Sequence, residues 1–397
     1  MSETEEMSTK VISTERDELI SIRHRLHAMP EISGEERETA AFIHAELVKT
    51  RPDEIHTGIG GHGLVAIYGT DRSGPQVMLR SELDALPVTE EGERPYRSIR
   101  HNRAHACGHD GHMTVILGVA RYLKENRPES GRVVLLYQPA EETGEGATRM
   151  LDDSLADVIG PDRSYAFHNI PGLSTRYLAI REGPFAAASV GLRCTFTGSS
   201  SHAAYPEQGR SPSRALAELT KYIEELSYGN SNGSEHYGVA TVTWIRMGEK
   251  AFGTTPGHGE IGMTLRATED EKLEEMKQSV EDESRELGRR HSLKVEIATH
   301  EPFRATVNSP ECVEIVRRAV QSSPFELHEL PQPFPWSEDF GCFAEISDIA
   351  QFGIGAGEGH PHLHSESYDF PDAIIAPAVE LFIQILEEEW RQDSQKM

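Results

Sequence analysis

The segment VVLLYQPAEE, residues 133–142, begins with five apolar or aromatic residues and ends on two glutamates. A short apolar run that stops at a turn signal is typical of a buried strand. A stretch with apolar residues at helical spacing precedes it at 113–124, and further strand-like runs lie at 64–68, 77–79 and 165–167. Because strands alternate with a helix, the pattern predicts an α/β domain whose sheet is at least partly parallel.

Two more helices are predicted outside this region. Residues 33–48 place apolar residues on one face, and Ser33 and Glu36 have the spacing of a capping box, in which two side chains satisfy the first amide groups of a helix. Residues 376–390 also carry apolar residues at helical spacing and are expected to close the same domain.

The 397 residues exceed the size at which one hydrophobic core usually stops growing. Residues 186–300 are predicted to form an inserted domain, which divides the larger domain into residues 1–185 and 301–397. The predicted order of strand, helix, strand, strand, helix, strand suits a small α+β fold with a four-stranded sheet and two helices. The strands are placed at 191–197, 238–245, 261–266 and 293–298, and the helices at 211–227 and 269–288.

Composition limits the partners and the location. The formal net charge of -26 opposes binding to nucleic acids or anionic membranes, which are themselves negative. No apolar run approaches the roughly 20 residues that span a bilayer. The acidic, polar N-terminus does not resemble a signal peptide, and four widely spaced cysteines give no disulfide framework. A cytoplasmic protein is therefore expected.

The chain is also poor in lysine, with nine lysines among its 39 basic residues. Adaptation to high salt and an ordinary acidic protein are equally compatible with this composition. Activity measured in molar salt would separate the two.

The segment Cys107-Gly-His109-Asp110-Gly-His112 carries the sharpest chemical signal. It packs a thiol, two imidazoles and a carboxylate directly before a predicted helix. Sulfur and nitrogen donors suit zinc and related transition metals better than calcium or magnesium. A metal site is the favoured interpretation, while a structural zinc half-site and a helix start with incidental histidines are the alternatives.

Further polar side chains follow two of the predicted strands. Glu141 and Glu142 follow the strand at 133–137, so one carboxylate can bind a metal while the other acts as a base. His168 comes directly after the strand at 165–167. Ligands of open α/β sheets bind at such strand ends. A solvated glutamate pair and a structural histidine are the alternatives.

Two more candidates complete the set. His360, His362 and His364 alternate along one loop, so spacing alone leaves open which of them binds a metal. Asp84 follows the strand-like run VMLRSEL and is a candidate to orient a ligand histidine from behind the metal. Together these clusters indicate a hydrolytic metal site.

Motifs that run nearly from end to end of the chain resemble one family. They are HRLHAMPEIS at 24–33, LDALPVTE at 83–90, ACGHDGH at 106–112, YQPAEETGEGA at 137–147, FHNIPG at 167–172, SSHAAYPEQGRSP at 200–212 and HSESYDF at 364–370. The family is that of metal-dependent amidohydrolases and carboxypeptidases, which includes hippurate hydrolase, N-acyl-amino-acid deacetylases and plant auxin-conjugate hydrolases. The resemblance implies a zinc-peptidase-like catalytic domain with a mixed sheet and an inserted lid and dimerisation domain.

The resemblance also implies a role for each candidate residue. Two divalent metal ions are expected, and each could be manganese, zinc, nickel or cobalt. The resemblance implies that the thiolate of Cys107 bridges them. Glu141 is implied as the general base, Asp84 as a carboxylate behind the metal ligands, and His202 as an oxyanion-stabilising residue that reaches across a dimer. Plain lid structure is the alternative role for His202. The implied metal ligands are Cys107, His109, Glu142, His168 and His364.

The implied reaction is hydrolysis of the amide bond of an N-acyl amino acid, or of a related small conjugate, by a water that bridges the two ions. The expected partners are this small molecule and a second copy of the chain in a homodimer or higher homo-oligomer. A dipeptidase or carboxypeptidase with the same metal centre and a non-catalytic metal-dependent binder are the alternatives.

Two segments depart from the family pattern. Glu82 stands where the family usually carries an aspartate, which adds a methylene near the metal site. The lid segment at 248–257 differs from the family's usual run, which normally contributes to substrate contacts. The identity of the acyl group and of the amino acid therefore stays open.

Overall fold

The computed structural model describes residues 3–70, 73–153, 155–229 and 236–396. The chain divides into two compact units. The first consists of Met1–Phe185, Val307–Leu330 and Asp339–Met397, and the second of Ala186–Thr306 and Pro331–Glu338. The second unit therefore extends past residue 300 and takes in a short later segment.

The helices are α1 (Glu3–Ala28), α2 (Arg37–Lys49), α3 (His109–Glu125), α4 (Gly146–Asp152), α5 (Leu155–Ile159), α6 (Ser213–Glu225), α7 (Asp270–Arg290), α8 (Pro310–Gln321) and α9 (Ile375–Lys396). Short 3-10 helices lie at Pro206–Gln208, Asp339–Glu345 and Asp372–Ile374. Within the described part of the chain, no helix combines the length and the apolar character that crossing a membrane requires.

The strands are β1 (Glu54–Ile59), β2 (Gly63–Tyr68), β3 (Gln76–Glu82), β4 (Arg132–Gln138), β5 (Arg163–Pro171), β6 (Tyr177–Ile180), β7 (Gly183–Ala186), β8 (Ala188–Thr197), β9 (Ser201–His202), β10 (Gly238–Met247), β11 (Thr254–Thr255), β12 (His258–Ala267), β13 (Lys294–Phe303), β14 (Thr306–Asn308), β15 (Glu326–Glu329) and β16 (Asp348–Gly357). The predicted strands of both regions are all found among them.

The described strands of the first unit form an eight-stranded sheet in the order β1-β2-β4-β3-β5-β16-β6-β15. Strand β3 is parallel to both β4 and β5, and β5 is parallel to β16. Strands β1 and β2 pair antiparallel, as do β2 and β4. The prediction of an α/β domain with a mixed, partly parallel sheet is confirmed. Because β4, β3 and β5 run parallel side by side, the loops that follow them meet at one edge of the sheet.

Residues 133–137 of strand β4 show why the middle of a central strand is apolar. Val133, Leu135 and Tyr137 belong to one hydrophobic core together with residues of α3 and α9. Val134 and Leu136 belong to another core together with residues of α4 and α5. Side chains alternate between the two faces of a strand. Since both faces are covered, every one of these positions is buried, and each contributes about 1.5–3 kcal/mol of hydrophobic stabilisation.

Helix α2 begins at Arg37 rather than at residue 33, and the side chain of its N-cap residue, Glu36, does not cap it. Glu31 Oε2 instead accepts the backbone N–H of Thr39 in the first turn, at 2.8 Å. The hydroxyl of Ser33 instead donates to Asp84 Oδ2 at 2.7 Å. The carboxylate of Glu36 accepts the backbone N–H of Ala140 at 2.8 Å. The capping-box prediction is therefore wrong, because Ser33 bonds to Asp84 and Glu36 accepts the N–H groups of Gly34 and Ala140 instead of that of Ser33.

Helix α3 begins at His109, before the predicted start at residue 113. Gly108 precedes it with a φ of +99°, which glycine adopts without strain. A Cβ at Gly108 would also lie 2.2 Å from Asn169 Oδ1. The glycine is therefore required by both conformation and space, and it places His109 in the first turn of α3.

The second unit contains an antiparallel four-stranded sheet among its described residues, in the order β10-β12-β8-β13. The apolar faces of α6 and α7 share one core with these strands. Strands and helices follow one another in the predicted order. The predicted α+β insert, with four strands and two helices, is confirmed.

Candidate metal centre

The strand ends of the first unit collect the donor groups. Glu141 and Glu142 follow β4, Asp84 follows β3, and His168 lies on β5 near its end. His109 opens α3. Because β4, β3 and β5 are adjacent and parallel, these side chains come from neighbouring positions at one edge of the sheet.

Overlapping groups of donor atoms lie within 4.8 Å of one another at this edge. Cys107 belongs to a group with His109 and His168 and to another with Glu142 and His364. The Sγ atom of Cys107 lies 3.4 Å from His168 Nε2. The structure therefore brings together all five side chains predicted as metal ligands, with Cys107 common to both groups.

Glu142 lies between two imidazoles. Its Oε1 is 3.8 Å from His109 Nε2, and its Oε2 is 3.6 Å from His364 Nε2. Glu141 forms a third group with His109 and Glu142, and its Oε2 is 3.7 Å from His109 Nε2. Both adjacent carboxylates thus face the cluster, and Glu142 has the larger number of predicted ligands around it.

Two candidate ligand histidines, His109 and His168, are held by hydrogen bonds of their Nδ1 atoms. The Nδ1 atom of His109 lies 2.9 Å from the carbonyl oxygen of Asp84, and that of His168 lies 2.9 Å from the carbonyl oxygen of Asn169. In each ring Nδ1–H is the donor to a carbonyl, which directs the electron pair of Nε2 toward the cluster. The buried Nε2 of His109 has no hydrogen-bond partner among the described residues.

The electrostatics of the cluster favour a cation. Burial by itself would lower the pKa of His109, but Asp84 and the nearby glutamates raise it to about 10. The negative charge around this nitrogen therefore attracts a positive one, whether a proton or a metal ion. Thiol, imidazole and carboxylate donors, together with the orphaned Nε2, fit a transition-metal centre.

Asp84 is fully buried and connects two of the candidate ligands. Its Oδ2 accepts the backbone N–H of Glu142 at 3.0 Å as well as the hydroxyl of Ser33, and its Oδ1 lies 3.5 Å from His109 Nδ1. Burial raises the pKa of Asp84, but the hydrogen bonds from His109 and its other donors outweigh burial and lower it. The ionised carboxylate thus fixes the backbone of Glu142, while the backbone carbonyl of Asp84 fixes the ring of His109.

The loop histidines differ in their surroundings. The backbone N–H of His364 donates to the carbonyl of Ala106 at 2.8 Å, and its φ is +64°. This contact holds the loop against the segment that carries Cys107. Among the described residues, neither His360 nor His362 belongs to a group of donors close enough for a metal, and His360 packs edge-on against Tyr368 instead.

His112 is the second imidazole of the hexapeptide motif, and its ring nitrogens are already engaged. Its Nδ1–H donates to Glu82 Oε2 at 2.7 Å, and its Nε2 lies 2.8 Å from Asn169 Oδ1. Glu82, His109 and His112 are also close enough to hold a metal. Because protein partners occupy both nitrogens of His112, this group is less suited to an ion than those around Cys107.

His202 lies in the second unit, on the short strand β9, which pairs with β11. Its side chain is exposed. Its Nδ1 accepts the backbone N–H of Ala204 at 3.0 Å, so the neutral ring carries its proton on Nε2. An outward N–H of this kind can donate to a developing oxyanion.

A buried ionic cluster beside the donors was not predicted. Asp110, in the first turn of α3, accepts from Arg23 Nε at 2.8 Å and from His27 Nδ1 at 2.8 Å. Arg23 also pairs with Asp369 and, at 3.4 Å, with Asp372. Burial opposes the charge of His27, but Asp110 dominates and raises its pKa to about 9. The sequence signal that could have revealed this cluster is the pair Arg23 and His27, which are four residues apart, with His27 inside the HRLHAMPEIS motif.

An α/β sheet with imidazole and carboxylate donors at its strand ends and a thiol beside them is typical of a metal-dependent hydrolase. The chain belongs to peptidase family M20/M25/M40, whose sequence pattern matches residues 78–388. The predictions of the family, the fold class and an enzyme of the metal-dependent amidohydrolase class are confirmed.

Named relatives cover nearly the whole chain. N-acetyl-L-cysteine deacetylase of Bacillus subtilis is 32% identical over 381 residues, which cover 94% of this chain and 88% of that protein. Hippurate hydrolase of Campylobacter jejuni is 28% identical over 372 residues, which cover 93% of this chain and 95% of that protein. The solved structure of the Bacillus subtilis YXEP protein, described as a dinuclear metal-binding peptidase from the M20 family, has a similar fold. Its TM-score is 0.79 at 22% identity, and the match covers 95% of this chain and 99% of that chain.

Proposed function

We propose that the protein hydrolyses the amide bond of N-acyl amino acids or related small conjugates, using two divalent metal ions. The observation that carries the proposal is the pair of overlapping donor groups that share Cys107. The thiolate of Cys107, common to both groups, would contribute to holding both ions. The ligands would be Cys107, His109, Glu142, His168 and His364, and the mixed donor set suits manganese, zinc, nickel or cobalt.

When bound, such ions lower the pKa of water and polarise a carbonyl group. Within this centre we assign the role of general base to Glu141, which is buried and lies beside His109. Its carboxylate takes the proton from the attacking water and returns it to the leaving nitrogen. Glu142 is assigned as a ligand because its two oxygens face two different imidazoles.

The choice of substrate class rests on the relatives. Two of them are named for N-acyl amino acids, one with an acetyl group on cysteine and one, hippurate hydrolase, with a benzoyl group on glycine. The class they share is an acyl group joined by an amide to a small amino acid. The lid segment at 248–257 differs from the usual run, so the preferred member of the class is left to experiment.

Removal of the metal should abolish the activity. We expect the purified protein, loaded with Mn²⁺ or Zn²⁺, to hydrolyse N-acetyl and N-benzoyl amino acids, and to lose this turnover in a chelator until metal is restored. Metal content should be two ions per chain. Preferential hydrolysis of dipeptides would instead support the peptidase alternative, and bound metal without turnover of either class would support a non-catalytic binder.

The second unit is proposed as a lid and dimerisation domain that supplies His202 to the scissile carbonyl in a homodimer. Replacing His202 by alanine should lower kcat about 10²–10³-fold, as is typical for the loss of one oxyanion donor. A matched control is His236→Ala, since His236 is also exposed in the second unit and pairs with Glu269 at 2.8 Å. If His202→Ala changes stability or oligomeric state but not kcat, the residue has a structural role only.

A further inference from the structure

Glu82 is a fully buried carboxylate at the end of β3, and both of its oxygens are engaged by the protein. Its Oε2 accepts from His112 Nδ1 at 2.7 Å, and its Oε1 pairs with the guanidinium of Arg80. Arg80 and Glu82 are two residues apart on a strand, so their side chains extend from the same face.

Arg80 continues the contacts in the other direction. Its Nε donates to Gln138 Oε1 at 2.9 Å, and Nη2 pairs with Asp339 at 2.8 Å. The side chain of Gln138 also donates to Asp339, at 2.7 Å. Beyond His112, the series ends at Asn169, whose Oδ1 lies 2.8 Å from His112 Nε2. We call the series Asp339, Gln138, Arg80, Glu82, His112 and Asn169 the support network.

Members of the support network lie close in sequence to His109, Glu142 and His168, three of the five candidate ligands, and to Asp84, which holds His109 and Glu142. His112 lies one helical turn after His109 on α3, and Asn169 directly follows His168 on β5. Gln138 ends β4, just ahead of Glu141 and Glu142. Glu82 itself ends β3, two residues before Asp84. The network therefore connects β3, β4, β5 and α3, the elements that lead into Asp84, Glu142, His168 and His109.

We propose that Glu82 is a positioning residue whose length fixes the spacing of the donors, because a single carboxylate at this reach contacts Arg80 and His112 at once. The inference rests on the metal centre proposed above. Glu82 is not itself a ligand, since its two oxygens already have protein partners. An aspartate would withdraw the carboxylate by about 1.5 Å, the length of one carbon–carbon bond. That distance is enough to break one of its two contacts.

The test is the affinity of the metal-free, full-length protein for Mn²⁺ and Zn²⁺, measured by calorimetric titration. We expect Glu82→Asp to weaken binding 10–100-fold, the usual effect of losing a partner behind a metal ligand. Glu82→Gln keeps the length but loses the charge that Arg80 requires, so it should weaken binding as well. Thermal unfolding of the metal-free variants is followed in parallel.

Glu389→Asp is the matched control. Glu389 is equally buried in the first unit, where it accepts from Arg163 Nη1 at 2.6 Å and from the Tyr165 hydroxyl at 2.5 Å. The shorter side chain should lower the unfolding temperature but leave the metal affinity within twofold. A comparable loss of stability in Glu82→Asp with unchanged metal affinity would show a purely structural role and overturn the inference.

A second variant covers the case in which Glu82→Asp does not fold. Asn169→Ala removes the far end of the support network without uncovering a buried charge, and it keeps the backbone carbonyl that holds His168. A loss of at least tenfold in metal affinity supports the inference, and an unchanged affinity overturns it. Failure of the unaltered protein to bind two ions would refute the proposed function itself, which distinguishes the two results.

Discussion

Replacing Glu141 by glutamine should lower kcat for an N-acyl amino acid by about 10³-fold while both metal ions stay bound. The change keeps the size and shape of the side chain but removes its ability to accept a proton. Positioned general bases contribute about 10²–10⁴-fold to rate. Stopped assays at saturating substrate, combined with metal analysis of the same sample, measure both quantities.

Neighbouring glutamates provide the comparison. Glu142→Gln should lose metal, because its carboxylate lies within 4 Å of both His109 and His364. Glu145→Gln should keep both metal and kcat, since Glu145 is half-exposed and pairs with Arg149 on the surface. Near-full turnover in Glu141→Gln would refute its role as base. Loss of metal in Glu141→Gln would make it a ligand instead.

The strands were predictable from sequence because both faces of the central sheet are covered. Burial on both sides favours apolar residues, so residues 133–137 of β4 appear as an unbroken apolar run. The helix starts were less predictable. Ser33 and Glu36 have capping spacing, yet Ser33 bonds to Asp84 and Glu36 bonds to Ala140 as well as to nearby Gly34, and both Asp84 and Ala140 lie far away in sequence. A local pattern contains no information about such partners.

The same distinction applies to the site. The positions of Glu141 and His168 follow from strand ends, which a sequence pattern can locate. The choice of His364 among three alternating histidines does not, because it depends on a loop that is hydrogen-bonded to Ala106. The Arg80–Glu82 pair and its contact with His112 were equally hidden. From the sequence alone, Arg80, Glu82 and His112 would each be expected at the surface. Only the folded sheet shows that all three are buried.

Replacing Arg23 by methionine should destabilise the first unit by about 3–5 kcal/mol, the typical cost of breaking a buried ion pair. The guanidinium is fully buried and contacts Asp110, Asp369 and Asp372. Methionine fills much of the volume but leaves Asp110 with only part of its compensating charge. The cluster also joins α1 to the start of α3, so the loss of stability should extend to the whole unit.

Urea unfolding can be assigned to the first unit through its tryptophan. Trp390 lies on α9 of that unit, whereas Trp244 and Trp336 belong to the second unit. In a Trp244→Phe, Trp336→Phe background, fluorescence therefore reports the first unit alone. Arg149→Met is the control, because the half-exposed ion pair of Arg149 with Glu145 should contribute less than about 1 kcal/mol.

A double variant separates lost charge compensation from lost packing. Adding Asp110→Asn to Arg23→Met removes the charge that Arg23 leaves behind, so part of the stability should return even though one more native group has been changed. If both substitutions acted only by disturbing packing, their losses of unfolding free energy would instead add. If Arg23→Met costs no more than Arg149→Met, or if the double variant is less stable than Arg23→Met, then charge compensation around Asp110 is not what holds α1 against α3.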